Sequence, residues 1–132
     1  MEQLGEKTYL TVISFKADDL TEHECGKLIE KIIEEICMTK AYEPMIYRFP
    51  MNGKGGKGYT YLQSITESYI VVDYWLDLKG GYLSVCSCRK YDPKEVKDVV
   101  IGFGLEIINI LSDSVGIVQE VPDARNNIKE EE

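Results

Sequence analysis

The chain is poor in the groups that most often announce a chemistry. It holds a single histidine, His23, among 132 residues. A zinc site needs about four well-spaced ligands, and neither His23, on a polar helix face, nor the "CSC" pair at Cys86 and Cys88 has the complement to build one. No metal is expected. Lys and Arg number 15 against 23 Asp and Glu, giving a formal net charge of −8. Nucleic-acid binding needs a concentrated basic surface, which this balance argues against. No apolar run approaches the ~20 residues that cross a bilayer, and "MEQLGEKTY" lacks the basic-then-apolar order of a secretory signal. The expectation is a cytoplasmic protein without a membrane partner. Disulfides do not fit either: Cys25 and Cys37 fall in a helical pattern and the other two cysteines in a strand, an irregular set for a cross-linked framework. All four are read as free thiols.

What remains suits an ordinary single core, because a chain of this length buries roughly two-thirds of its unfolded surface. Residues 8–15, "TYLTVISF", are β-branched and aromatic and read as a strand. Thr21 and Glu24 have the spacing of a capping box, and Leu28, Ile29, Ile32, Ile33 and Ile36 recur at helical intervals behind it. Glu30, Lys31, Glu34 and Glu35 fall off that stripe as a solvated face. Residues 44–49 read as a second strand. The Gly/Lys-rich 50–58 has no Walker-type spacing and leads into a strand-like run, so it reads as a basic loop, not a phosphate cradle.

Strand patterns then cover 58–65, 69–75 and 81–87, an antiparallel meander. A second helix starts with Asp92 as N-cap and Pro93 behind it, and Val96, Val99, Val100, Phe103, Ile107 and Leu111 are read as its apolar face, with Gly102 and Gly104 as a kink. Residues 115–121 are read as the last strand and 122–132 as a disordered polar tail. The expected fold is α+β: a two-layer sandwich in which two helices cover one face of a mainly antiparallel sheet, one domain over 1–121. Tyr59, Tyr61, Tyr69, Tyr82 and Trp75 lie in its strands. Either they make the other face a dimer or ligand surface, or tyrosine is there only because it favours strands.

The stretch "GYTYLQSITESYIVVDYWLD … YLSVCSC" resembles the small prokaryotic S-adenosylmethionine decarboxylases, with their pattern G-x-S-x-x-x-x-x-x-E-S-H-x-x-x-H-T-W-P-E and a following strand that ends in cysteine. The element order agrees over roughly residues 8–121, as does "CRKYDPKEV" as the link into the second helix. In that family the Glu-Ser bond cuts itself, and the serine becomes an N-terminal pyruvoyl cofactor. The resemblance implies cleavage between Glu67 and Ser68, with Cys88 as the acid that protonates the carbanion and Thr60 as the hydroxyl that assists processing. A pyruvoyl group supplies the electrophilic carbonyl that side chains lack. The implied function is decarboxylation of S-adenosylmethionine or a related amino acid in polyamine biosynthesis, with a small-molecule substrate, a homodimer, and Phe49, Tyr69, Trp75 and Asp77 as substrate-binding residues.

The departures are as specific as the matches. Tyr69 and Asp73 stand at the two family histidine positions, and "WLD" replaces "WPE". Imidazole, with a pKa near ~6.5, gives and takes a proton at neutral pH, whereas an aspartate near ~3.9 is a weak base unless burial raises its pKa. Asp73 therefore either serves as a desolvated base, recognises a cationic substrate, or marks a non-processing homologue that binds a ligand or regulates a relative. Parity adds a constraint: Ser68 and Asp73 are an odd number of residues apart, so a regular strand would point them to opposite faces unless it bends near Ser68.

Overall fold

A computed structural model describes residues 6–51 and 54–117. It contains six strands, β1 (Lys7–Lys16), β2 (Met45–Met51), β3 (Lys54–Ile65), β4 (Ser68–Trp75), β5 (Gly80–Ser87) and β6 (Glu106–Gly116), and two helices, α1 (Glu22–Glu35) and α2 (Pro93–Gly102). The strands form one antiparallel sheet in the order β2-β3-β4-β5-β1-β6. Both helices pack on one face, as the alternation of apolar residues requires.

The covered face is built from every second residue. Ile13 and Phe15 of β1, Tyr59 and Ile65 of β3, Ile70, Val72 and Tyr74 of β4, and Leu83 and Val85 of β5 are buried against Leu28, Ile29 and Ile32 of α1 and Val96 and Val100 of α2. Thr21 caps α1 with the reciprocal capping box its sequence announces. At the other end Cys37 takes a left-handed φ of 58°; its N–H reaches the Glu34 carbonyl while that of Met38 reaches Ile33, the paired bonds of a Schellman ending. Among the aromatic strand residues, Tyr59 is buried on the helix side and Tyr61 packs against the core, whereas Tyr69 and Tyr82 are exposed on the open face, with Trp75 edge-on to Tyr82. The Tyr-rich open face is thus smaller than the number of strand tyrosines suggests.

Two boundaries differ from the sequence reading. The second helix ends at Gly102, and Ile107 and Leu111, expected on its apolar face, belong to β6. Gly104, at φ 83°, stops the helix: its N–H bonds Ile101 and that of Leu105 bonds Val100, so the chain reverses instead of kinking. The strand expected at 115–121 consequently starts at Glu106, and the chain after Ile117, including the expected tail at 122–132, lies outside the described residues. The Gly/Lys segment is likewise strand over most of its length, with Gly58 paired between Phe49 and Trp75. A side chain at Gly58 would run into the Tyr74 carbonyl, so glycine is what lets β3 and β4 approach here.

Candidate functional site

The Glu67–Ser68 bond lies in the tight turn from β3 to β4. Ile65 and Ser68 face one another across it, and Ser68 also pairs with Ser87 of β5. Ser68 has φ 154°, outside the usual range for an L-residue. The backbone is irregular at Ser68, where parity called for a bend, but this does not bring Ser68 to Asp73, which stays paired with Thr60 and Tyr82 farther along β4. The Glu67 carbonyl accepts a 2.8 Å hydrogen bond from the Cys88 N–H. An amide donor on that oxygen polarises the carbonyl of the Glu67–Ser68 bond, as oxyanion-stabilising donors do.

The Glu67 side chain is held at both oxygens. Its Oε1 accepts from the Thr39 N–H at 3.2 Å, and its Oε2 lies 3.5 Å from the Arg89 guanidinium. Burial pushes this carboxyl up, but the hydrogen bonds from Thr66, from the Thr39 N–H and from its own N–H, with the Arg89 charge, outweigh it and leave the pKa below the usual carboxylate value.

Beyond the turn, Tyr69 and Cys86 are partners across β4 and β5. The Cys86 thiol is 2.9 Å from Thr8 Oγ1. Its hydrogen bond to Tyr69, its charge and partial burial together raise the Tyr69 pKa.

The remaining predicted residues lie elsewhere on the open face. Thr60 and Asp73 are cross-strand partners, and the Thr60 hydroxyl donates to Asp73 Oδ1 at 2.5 Å. Tyr47 and Tyr82 flank them in the same row. In the next row Gly58 separates Phe49 from Trp75, and Asp77 Oδ2 lies over Gly56. Trp75, Tyr82, Lys16 and Ile108 line a hollow of about 550 Å³ at this end of the sheet. Ser68 and Asp73 are five positions apart along β4, about 17 Å at the usual rise per residue. The structure therefore brings Glu67, Ser68 and Cys88 together, brings Thr60, Asp73, Trp75 and Phe49 together, and keeps the two groups apart within one chain.

Thr39, Arg89 and Thr8 went unnoticed in the sequence, and Cys86 was read there only as a free strand thiol. Arg89 directly follows Cys88 and could have been flagged by that adjacency, but a backbone N–H such as that of Thr39 leaves no trace in a residue string. All four cysteines are unpaired. Burial pushes the Cys25 thiol up to about 12, as befits a packed thiol. Among the described residues no three candidate ligands converge as a metal site, and no helix is long and apolar enough to cross a membrane.

A six-stranded antiparallel sheet in this order with two helices on one face is the adenosylmethionine decarboxylase-like fold. The crystal structure of the adenosylmethionine decarboxylase from Aquifex aeolicus VF5 superposes with a TM-score of 0.62 at 18% sequence identity, over 90% of this chain and 98% of that one. At that identity the likeness establishes the fold. No family model and no curated protein sequence matches the chain.

Proposed function

We propose that the protein is a pyruvoyl-dependent decarboxylase of S-adenosylmethionine or a related amino acid, formed by cleavage between Glu67 and Ser68. The observation that carries this reading is the Cys88 N–H bonded to the Glu67 carbonyl beside a conformationally strained serine, at the turn of a decarboxylase-like fold. The Ser68 Oγ attacks the Glu67 carbonyl carbon, and the Cys88 amide stabilises the negative charge that builds on the oxygen. Collapse breaks the C–N bond and leaves Glu67 as an ester on Ser68 Oγ. Loss of a proton from the Ser68 Cα then expels the Glu67 carboxylate, and water releases the nitrogen of residue 68 as ammonia. When formed, a pyruvoyl group supplies an electrophilic carbonyl and an electron sink for departing CO₂.

A second copy completes the reading. The open face presents Met45, Tyr47, Tyr69, Tyr82, Leu111 and Val115, each 40% exposed or more, an apolar surface of the kind that a like surface buries. A two-fold axis lying in that interface, across the strands, turns each sheet end for end over the other. It sets the Thr60–Asp73 pair of one copy over the Ser68 end of its mate. Sedimentation at micromolar concentration tests this, with dimer expected for the wild type and monomer for Tyr82→Glu.

The alternative is a non-processing homologue that binds a ligand or regulates a relative. It is favoured by an Asp73 carboxylate engaged by Thr60, about 17 Å along the strand from Ser68. Intact-mass measurement separates the two. Cleavage yields two fragments, the C-terminal one blocked to Edman degradation; one persistent species of 15.0 kDa after incubation across neutral pH overturns the enzymatic reading.

A further inference from the structure

The carboxylate of Glu67 is fixed at both oxygens, and the fixing group on one side is Arg89, which comes directly after Cys88. The guanidinium reaches three neighbours: Glu67 Oε2 at 3.5 Å, Met38 Sδ at 3.2 Å and the Cys37 carbonyl just past the end of α1. Its backbone is pinned as well. The Arg89 N–H donates to Ser87 Oγ at 2.9 Å, and that hydroxyl donates to the Arg89 carbonyl at 2.8 Å. Ser87 is fully buried and is the residue paired with Ser68.

The same turn is tied from the other side. Thr66 N–H donates to the Thr39 carbonyl at 2.9 Å, Thr39 N–H holds Glu67 Oε1, and Lys40 bridges to Ile65. The segment 37–40 and the end of β5 thus grip the turn from two sides, and Arg89 is the side chain that spans both. A turn holding a residue at φ 154° stays there only if its surroundings hold it. The bond that matters, Cys88 N–H to the Glu67 carbonyl, is one residue from Arg89 at its donor end, and its acceptor is the backbone of the residue Arg89 grips.

We propose that Arg89 is a positioning residue. By joining the Glu67 carboxylate to the chain after α1, it holds the Glu67 carbonyl on the Cys88 amide and keeps Ser68 in its strained conformation. Its effect on cleavage rests on the function proposed above, but the clamp does not. Arginine suits the position because one guanidinium nitrogen donates to the Cys37 carbonyl and to Met38 Sδ while the delocalised charge faces the Glu67 carboxylate, and its rigid planar head gives up less freedom in doing so than a flexible ammonium.

The test compares the full-length wild type with Arg89→Ala and Arg89→Lys by two measurements: hydrogen exchange of the Cys88 amide, with the Val72 amide in the central sheet as reference, and the fraction cut before Ser68 by intact mass. In Arg89→Ala the Cys88 amide is expected to exchange at least tenfold faster with the Val72 amide unchanged, and Arg89→Lys to recover part of that protection. Where the wild type cuts itself, Arg89→Ala is expected to cut at least tenfold more slowly and Arg89→Lys at an intermediate rate. Unchanged Cys88 exchange in Arg89→Ala overturns the proposal, as does an equal acceleration at Val72, which marks general destabilisation. Wild-type cutting at an unaltered rate in Arg89→Ala overturns it too. An uncut wild type whose Cys88 amide still responds to the substitution removes the self-cleavage reading and leaves the clamp standing.

Discussion

Replacing Ser68 by glycine and by alanine separates the backbone strain at the turn from the loss of the hydroxyl. Neither variant can attack the Glu67 carbonyl, so both chains stay intact whichever function holds, and their stabilities are directly comparable. An L-residue at φ 154° carries a conformational cost on the order of 1–3 kcal/mol. Alanine retains that cost, whereas glycine removes it and gives back about 0.5–1 kcal/mol through the greater freedom of its unfolded chain. The glycine variant is therefore expected to be the more stable by about 1 kcal/mol. In a chain of this size that raises the thermal midpoint by about 3–5 °C. Urea unfolding followed by the fluorescence of Trp75, the sole tryptophan, reads the difference as a shift in midpoint at constant slope. Equal midpoints, or a more stable alanine variant, would mean that the turn is relaxed at Ser68 and that strain has no part in its reactivity.

Three further outcomes rest on named contacts. Cys37 occupies the left-handed position that ends α1, so Cys37→Gly is expected to stabilise the fold by about 1 kcal/mol in thermal melts. Glu67 has a lowered pKa, and a carboxylate held low contributes stability that is present above its unfolded value near ~4.3 and lost as pH falls through its folded value. The stability advantage of the wild type over Glu67→Gln should accordingly be full at pH 6 and shrink through pH 4 and below; an advantage independent of pH in acid titration would refute that assignment. Asp73→His is expected to raise the rate of chain cutting measured by intact mass, because imidazole exchanges protons at neutral pH, and no change would exclude Asp73 as the limiting group.

Most of the fold could be read directly because its signals are local. The capping box at Thr21, the Asp92–Pro93 start of α2 and the alternation in β4 and β5 are each written within a few residues. Where reading failed, the deciding interaction was not local. Ile107 and Leu111 keep helical spacing with Val100 and Phe103, and only the left-handed turn at Gly104 and the pairing with β1 make them strand. The glycines near 55–58 look like a loop in isolation, but Gly58 is what allows β3 to lie close to Tyr74 and Trp75. At the candidate site, Glu67, Ser68 and Cys88 were found as a motif and do meet through a backbone bond. Asp73 and Thr60 were found by the same motif and do not join them, since a residue string carries spacing along a strand but not the distance that spacing becomes in space.

The strand order has a consequence for a severed chain. A break after Glu67 would leave β1, β2 and β3 on one piece and β4, β5 and β6 on the other, and the order β2-β3-β4-β5-β1-β6 interleaves them. The two pieces would share three rows of main-chain bonds, β3 with β4, β5 with β1 and β1 with β6, while α1 from one rests against α2 from the other. Scission would thus create new chain ends at the turn without parting the halves, and only denaturation would reveal that the molecule had been cut.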